Sequence, residues 1–417
     1  MTQRLKVSLG GVRVGELGQD QAGRIVFQYD SKWLLEGFDL SPGSLSFEGL
    51  PQSAMRGVFD GLHGVFNDSL PDGWGLLLMD RALKQKMGLN RPDITPLHRL
   101  AYIGERGMGA LEYAPILLRG EDASLVDLSQ LAEQAEGILK GTSDQVLEEL
   151  RILGGSPGGA RPKVTVAFSK DMKTCQTPFS VLPEGFTHWM VKFRAGSNST
   201  GGDEIDSGRM EMIYAEMARA SGIEMPRTHL LELNLKGQRE AYFAVERFDR
   251  VSFRKIHVLS LAGLAYANHR EPCLDYGSGV LAATKKLTKS QQEVERAYRL
   301  MVFNVLAHNK DDHAKNFAYL YDLKEGCWRL SPGFDLTFNF GMSNQHTTSV
   351  NGSGLPVMAD LKKLAQDFRV ERWKIIVEEV AHGVSSWHER AKDMDLSQSR
   401  MISVQSALNA TIKRVFD

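Results

Sequence analysis

Two carboxylates and one amide in the last third of the chain have the spacing of a phosphoryl-transfer site. Asp311 and Asn316 are five residues apart, and Asp335 lies between two apolar neighbours eighteen residues beyond Phe317. In kinases, an aspartate at this spacing orients the acceptor hydroxyl and accepts its proton, while the asparagine and a later aspartate hold magnesium. The spacing predicts phosphotransfer chemistry, with Asp311 as the base and with Asn316 and Asp335 as metal ligands.

Two other interpretations of this segment stay open at the level of sequence. In the first, a transition metal is bound directly by a set of four side chains: His308, Asp311, Asp312 and His313. The two histidines are five residues apart, which does not place them on one helix face as the spacing of a metal-binding HExxH motif does. In the second interpretation, the segment is a solvated acidic turn at the end of a helix.

A glycine-rich loop precedes a predicted strand, Val164–Phe168. Four of the six residues from Gly154 to Gly159 are glycine, which lets backbone N–H groups approach an anion closely. The loop lacks the Gly-Lys-Ser/Thr ending of a P-loop and does not match GxGxxG. Phosphate binding and a plain hairpin loop are equal alternatives for it.

A lysine interrupts an otherwise apolar strand predicted over Thr187–Phe193. A buried lysine is costly unless it is paired, so Lys192 is a candidate for contact with nucleotide phosphates. Its predicted carboxylate partner is Glu211, in the helical segment of about 207–221, where Glu216 is the other choice. A lysine at the surface edge of a sheet is the alternative.

The following strand pair, Thr228–Leu235 and Glu240–Val245, runs into Glu246–Arg250. In a two-lobed kinase, the strand that leaves the small lobe becomes a hinge whose backbone bonds the adenine edge. Glu246 and Phe248 have this place in the sequence. An exposed salt-bridge segment is the alternative.

Composition limits the class of protein. The chain has 417 residues, of which 42% are hydrophobic, and its formal charge is −1, so no global field points to nucleic acid or an anionic membrane. The three cysteines are scattered and odd in number, which favours a reducing cytoplasm over a disulfide scaffold. The start of the chain lacks an apolar signal core, and we expect a cytoplasmic protein without membrane association.

The elements that must position these residues follow from periodicity. Alternation over residues 4–30 predicts an antiparallel meander, and Asn67, Asp68 and Asp72 are interpreted as capping and turn residues. Ser290 and Glu293 predict a capping box for the helix that leads to His308. Further helices are predicted over 128–139, 144–153, 357–368, 370–391 and 396–415.

With these motifs in place, the chain resembles the HipA family of serine/threonine kinases, the toxins of bacterial type II toxin–antitoxin pairs. The resemblance covers nearly the whole length, and its motifs are Asp311–Phe317, Ala244–Arg250, Ser156–Lys163, Pro332–Leu336 and Val65–Asp72. It implies an α+β, two-lobed fold like that of protein and phosphatidylinositol kinases. The implied domains are a small β-rich amino-terminal subdomain (1–120), a small lobe (121–250) and a helix-rich large lobe (251–417).

The resemblance also implies roles for individual residues. Asp311 is the expected catalytic base with His313 beside it, Asn316 and Asp335 the expected magnesium ligands, and Lys192 a phosphate ligand. Glu246 and Phe248 would present hinge backbone to adenine. Other residues implied to bind ATP are Ser156, Gly158, Gly159, Ala160, Lys163 and His313. Ser156 matches the autophosphorylated serine of the family, whose modification inactivates the enzyme. A phosphate there would add up to about two negative charges to a loop expected to hold ATP phosphates.

Family members phosphorylate protein substrates such as aminoacyl-tRNA synthetases and are restrained by a helix-turn-helix antitoxin on operator DNA. The resemblance therefore implies an antitoxin partner of the HipB kind, and contact with DNA mainly through that antitoxin. Two alternatives stay open: a HipA-like kinase with another substrate and no toxin role, or a nucleotide-binding scaffold for an antitoxin–DNA complex. The duty of Asp312 is also open, because it could share the work of metal binding or proton transfer.

Overall fold

The computed structural model forms two compact units. The described residues are 4–55, 57–117, 125–140, 148–154, 159, 161–179, 181–194, 206–235, 237–252, 254–268, 271 and 274–417. The first unit takes residues from 1–204 and 231–259, and the second takes residues from 205–230 and 260–417. Within the described ranges, no helix is both long and apolar enough to cross a membrane.

The first unit begins with an antiparallel sheet. Its elements are β1 (Leu5–Leu9), β2 (Val12–Gln19), β3 (Ile25–Tyr29), α1 (Ser31–Glu36), β4 (Gln52–Ser53), α2 (Gly64–Asn67), α3 (Gly73–Met87), α4 (Pro96–Ile103) and β5 (Leu111–Ala114). The described strands lie in the order β4-β3-β2-β1-β5. In β1, Leu5, Val7 and Leu9 are buried while Lys6 is exposed, because successive side chains of a strand face opposite sides. The predicted meander over residues 4–30 is confirmed.

A second sheet completes the first unit. In the chain, helix α7 (Ser207–Ala220) of the second unit lies between two strands of this sheet. In order, the elements are α5 (Leu128–Leu139), α6 (Glu148–Gly154), β6 (Lys163–Phe168), β7 (Cys175–Gln176), β8 (Thr187–Lys192), α7 (Ser207–Ala220), β9 (Thr228–Leu235), β10 (Gln238–Glu246), β11 (Arg250–Val251), β12 (Arg254–Lys255) and β13 (His257–Ser260). In the part that the structure describes, the strand order is β7-β6-β8-β10-β9, so β8 is an interior strand. Its core joins Trp74 of α3 and Leu131 of α5 to Val164 and Val191.

The second unit is mainly helical. Besides α7, its elements are α8 (Leu261–Ala265), β14 (Leu274–Asp275), a π-helical turn (Tyr276–Leu281), α9 (Ala282–Thr288), α10 (Gln291–Leu306), β15 (Ala318–Asp322), β16 (Cys327–Leu330), β17 (Thr348–Ser349), α11 (Met358–Asp367), α12 (Trp373–Ser385), α13 (Trp387–Asp393) and α14 (Gln398–Phe416). Helix α10 packs against α7, α12 and α14, and its apolar face is fully buried at Val294, Tyr298 and Met301. The helix predicted to lead into His308 is confirmed.

The prediction of a single helix over 370–391 is wrong. The structure ends α12 at Ser385 and begins α13 at Trp387. The hydroxyls of Ser385 and Ser386 donate to the C=O groups of His382 (2.7 Å) and Gly383 (2.6 Å), and such local bonds compete with helix continuation. The break places Trp387 in the core of the second unit, where it is 1% exposed.

Candidate active site

Helix α10 leads into the predicted catalytic segment, and its first turn is bonded to β16. Ser290 caps the helix, since its Oγ accepts from the backbone N–H of Glu293 (3.4 Å). The predicted capping box is only half formed, because the Glu293 carboxylate accepts from the N–H of Leu330 in β16 (2.9 Å). At the other end, the helix stops at Leu306 and His308 has a left-handed φ of +55°. The chain is thereby turned out of the helix into an extended segment.

That segment, residues 308–312, lies between two later stretches of the second unit. On one side, Asn339 donates its N–H to the C=O of His308 (3.1 Å) and accepts from the N–H of Lys310 (3.4 Å). On the other side, Thr347 donates its N–H to the C=O of Lys310 (3.1 Å). Backbone groups bonded on both sides fix the path of the segment.

Asp312 is fully buried and anchors the segment. Its Oδ2 accepts from the Tyr276 hydroxyl (2.9 Å) and bonds Nδ1 of His346 (2.8 Å). Its Oδ1 accepts from the backbone N–H groups of Thr347 (2.9 Å) and Thr348 (3.2 Å). An ionised carboxylate has about four acceptor positions, and all of them are used within the protein. Asp312 is therefore a structural anchor of the segment.

His308 packs inside the protein. Its Nδ1 lies 2.8 Å from Oγ1 of Thr411, and its ring stacks on Phe338 with 5.2 Å between centroids. Burial lowers the pKa of His308 to about 3, so the imidazole is neutral. Among the described residues, no group of three or more His, Cys, Asp and Glu side chains could hold a metal ion. The structure does not support the interpretation of the segment as a transition-metal hydrolase site.

Asp311 has the opposite environment from its two neighbours. It is exposed, while Lys310 and Asp312 on either side are 0% exposed. Asn316 donates its side-chain Nδ2 to the C=O of Asp311 (2.8 Å), and its backbone N–H donates to the C=O of His313 (2.9 Å). One N–H of the Asn316 side-chain amide is thus bonded within the loop. The structure therefore joins the two residues whose spacing predicted the site.

Asp335 follows β16 in an irregular stretch. It is exposed, whereas Leu336 beside it is buried, and its φ of +55° is left-handed. Gly333 fixes the approach to this stretch by donating its N–H to the C=O of Glu224 (2.8 Å). A residue other than glycine with left-handed φ is uncommon and often marks a functional site. The backbone thus presents Asp335 at the surface.

Lys192 is not at the surface edge of the sheet. It is 8% exposed, in the interior strand β8, and its Nζ lies 5.7 Å from the ring centroid of Phe243. In the register of β6 with β8 it is directly opposite Lys163, which is 5% exposed. Residues directly opposite each other in a sheet share a face, where like charges are unfavourable. Two buried lysines therefore occupy opposing positions on neighbouring strands of this sheet.

The glycine-rich loop is described only in part. Ser156, Gly158 and Ala160 lie outside the described residues. Gly159 has a φ of +98°, and a Cβ there would collide with the ammonium of Lys163. Its N–H donates to the carboxylate of Asp72. Asp72 is the N-cap residue of α3, as the sequence predicts, but its side chain makes no cap bond to the helix and instead holds Gly159.

The predicted hinge follows β10. Glu246 is opposite Trp189 at the end of β10, and the N–H of Arg247 donates to the C=O of His188 (2.8 Å). Phe248 is half-buried. The segment therefore stays attached to β8 as it leaves the sheet. Contact of the backbone of Glu246 and Phe248 with adenine stays a prediction, as does the pairing of Lys192 with Glu211, which is buried on α7.

The interpretation of Glu246–Arg250 as an exposed salt-bridge segment is wrong, because its charges are buried. The Asp249 carboxylate, 0% exposed, accepts from Arg247 (2.7 and 2.9 Å) and Arg250 (2.7 Å). It also accepts from the N–H of Gly109 (2.9 Å), while Arg250 donates to the C=O of Gly107 (2.8 Å). This cluster ties the Gly104–Gly109 turn to the end of β10.

Burial alone would raise the pKa of Asp249, but the Arg247 and Arg250 guanidinium groups hold it well below the usual carboxyl range. Burial beside Arg247 in turn lowers the pKa of Arg250 to about 10. Asp249 and Arg250 are therefore both charged at neutral pH, and the side chains of the cluster are too buried for chemistry with a ligand.

Sequence analysis missed most of the residues that hold the catalytic segment. Tyr276, Asn344, His346 and Thr348 contribute bonds from positions up to 36 residues away in the chain. The one local signal for these residues was Asp312 itself. A buried carboxylate next to Asp311 needs hydrogen-bond donors, and these come from other parts of the chain.

Comparison with known proteins places the chain in a family. The model of the HipA N-terminal domain matches residues 5–114, and the model of the HipA-like C-terminal domain matches residues 155–388. The chain therefore belongs to the HipA family.

Individual similar proteins extend the comparison. HipA of Shewanella oneidensis MR-1, solved in a toxin–antitoxin complex with HipB and operator DNA, superposes with a TM-score of 0.69 at 17% identity. That match covers 99% of this chain and 97% of the other, and it shows the fold. Y4dM of Sinorhizobium fredii, named as a candidate kinase, is 27% identical over 170 residues. The match covers 38% of this chain and about two fifths (41%) of that relative's length.

Proposed function

We propose that this protein is an ATP- and magnesium-dependent serine/threonine protein kinase of the HipA type. The observation that carries the proposal is the position of Asp311. Its exposed side chain lies between the buried residues Lys310 and Asp312, and the side chain of Asn316 donates to its backbone C=O (2.8 Å). A fixed aspartate and asparagine at this spacing serve the acceptor hydroxyl and the metal in kinases. The kinase class named for Y4dM and the fold shared with the Shewanella HipA support the proposal.

Each part of the proposed site has a distinct duty. Asp311 orients the acceptor hydroxyl and takes its proton, with His313 beside it. Asn316 and Asp335 offer an amide and a carboxylate oxygen, which are ligand types that magnesium prefers. Bound magnesium would neutralise charge on the nucleotide phosphates. Positioning and charge stabilisation then account for most of the catalysis.

The nucleotide would be held by residues of β6, β8 and the glycine-rich loop, and by the segment after β10. Lys163 and Lys192 offer two neighbouring cations to its phosphates, together with the loop residues Ser156, Gly158, Gly159 and Ala160. Glu211 is the proposed carboxylate partner of Lys192, and the backbone of Glu246 and Phe248 the proposed adenine contact. The burial of both lysines on one sheet face supports this assignment.

We also propose that the kinase arrests growth by phosphorylating a protein of translation, such as an aminoacyl-tRNA synthetase, and that a helix-turn-helix antitoxin neutralises it. The Shewanella relative of similar fold was solved with HipB and operator DNA, which supports an antitoxin partner of that kind. Contact with operator DNA would then pass mainly through the antitoxin.

The first test is incubation of the pure protein with Mg-ATP, followed by peptide mass mapping. We expect phosphate on Ser156, which would add negative charge to the loop that binds ATP phosphates and inactivate the enzyme. Ser156→Ala should remove that label. Absence of ATP binding by calorimetry would overturn the kinase proposal. ATP binding without any phosphate transfer, even to added protein substrates, would favour a nucleotide-binding scaffold.

Replacing Lys192 with methionine should weaken ATP binding about tenfold or more, because hydrogen bonds to charged groups contribute about 1.5–3 kcal/mol. Methionine preserves most of the packing volume in β8, so the fold should persist. Calorimetric titration with Mg-ATP measures the effect, and Lys6→Met on the exposed side of β1 is the matched control. An unchanged dissociation constant for Lys192→Met would remove this residue from the nucleotide site.

A further inference from the structure

Lys310 is completely buried, although it immediately precedes the exposed Asp311. Its Nζ donates to the backbone C=O (2.7 Å) and to the side-chain Oδ1 (2.6 Å) of Asn344. Its backbone N–H and C=O bond Asn339 (3.4 Å) and Thr347 (3.1 Å). The side chain and backbone of Lys310 are thus bonded to one turn, residues 339–347, which we call the clasp turn.

The buried side chain of Lys310 and the strained backbone of the clasp turn would each raise the free energy of the folded protein on their own. Burial and the nearby Arg414 lower the pKa of Lys310 to about 8, since a buried ammonium is costly. The clasp turn contains left-handed φ angles at Gly341, Ser343 and Asn344, which strain the backbone at the last two. A Cβ at Gly341 would lie 2.8 Å from the Cβ of Lys310. An apolar side chain at position 310 would fill the space without a buried charge.

We propose that Lys310 is a positioning residue for phosphoryl transfer, which holds the clasp turn against the catalytic segment and so fixes the direction of Asp311. The proposal rests on the proposed function. Successive side chains of an extended segment face opposite sides, so anchors at positions 310 and 312 orient residue 311 between them. Asp312 is bound by His346 and Thr347, at the end of the clasp turn, and by Thr348 directly after it. Both anchors therefore act through one short stretch of chain.

Replacing Lys310 with methionine in the full chain should lower kcat about 10–100-fold and leave the KM for ATP within about twofold, because small misplacements of a catalytic group reduce the rate that much. The thermal midpoint should stay the same or rise, since removing a buried charge is often neutral or stabilising. Asn344 is exposed, and water can bond the acceptors that are freed. A residue with a merely structural role would instead lose stability together with activity.

Asn344→Gly is the second variant. Glycine tolerates the φ of +58° at this position and removes the side-chain acceptor while it keeps the backbone C=O acceptor, so an intermediate loss of kcat is expected. Lys324→Met, on the exposed β15–β16 hairpin, is the control. Hydrogen exchange gives a readout that does not depend on activity: in Lys310→Met, peptides covering 339–347 should exchange faster, while those covering 318–330 should not.

The possible outcomes separate the two proposals. A wild-type protein that transfers no phosphate overturns the proposed function, and the positioning role falls with it. An active wild type with Lys310→Met equally active, or with unchanged exchange in the clasp turn, overturns the positioning role alone. Parallel losses of kcat, ATP affinity and thermal stability would also overturn it, because they would show a general structural role.

Discussion

Asp311→Asn is expected to lower the phosphotransfer rate about 10²–10⁴-fold, the range that a positioned general base contributes. Asparagine has nearly the same shape but no basic oxygen, so it can orient the acceptor hydroxyl without accepting its proton. Asp311 is exposed and flanked by the buried anchors Lys310 and Asp312. The substitution should therefore leave the segment in place, and the affinity for ATP should change little.

Single-turnover transfer of radioactive phosphate to Ser156, or to an added protein substrate, measures the effect of Asp311→Asn. Asp367→Asn is the matched control, because Asp367 is an exposed aspartate of the same unit that pairs with Lys363 on α11. A variant that keeps the full rate with normal ATP binding would show that Asp311 is not the base. Loss of ATP binding in Asp311→Asn would instead assign the residue to the nucleotide site.

The outline of this site could be predicted because its central signal is local. Asp311 and Asn316 are five residues apart, and the bond between them forms within one loop. The function of Asp312 could not be predicted, because its partners Tyr276 and His346 lie 36 and 34 residues away. Long-range donors decide whether a second carboxylate in such a loop is a ligand or an anchor.

The elements of the fold also divide into those that local residues specify and those that depend on distant residues. Periodic segments such as β1 and α10 could be predicted from their own residues. The pairing of Lys163 with Lys192 depends on the register of two strands, which neither strand specifies alone. The break at Ser386 depends on hydroxyl-to-backbone bonds and on burial of Trp387, and the apolar period gives no sign of either.

The Arg–Asp–Arg cluster after β10 shows why burial has to be known before a charged motif can be interpreted. The sequence of Glu246–Arg250 fits a kinase hinge or an exposed set of ion pairs. Its buried partners, Gly107 and Gly109, lie about 140 residues earlier in the chain. The motif therefore joins the regions matched by the two family models, a structural duty that is compatible with a hinge at Glu246 and Phe248.

Asp249→Asn is expected to destabilise the first unit by about 3–5 kcal/mol, because removing one partner of a buried ion cluster leaves uncompensated charge. The guanidinium groups of Arg247 and Arg250 would lose their shared carboxylate (2.7 Å to each). Native-state hydrogen exchange measures the change separately in peptides of β8 and α10. Glu36→Gln is the control, since the exposed pair with Lys32 should contribute no more than about 0.5 kcal/mol.

The pH dependence of the Asp249→Asn effect tests its cause. The pKa of Asp249 is lowered in the folded protein from an ordinary value of 3.8. A carboxyl with a lowered pKa contributes stability that is present above its unfolded pKa and is lost as the pH falls through its folded pKa. The difference between wild type and Asp249→Asn should therefore be constant from pH 7 to about 5 and shrink only in stronger acid. A difference that shrank near neutral pH would mean that Asp249 is not held ionised by its two arginines.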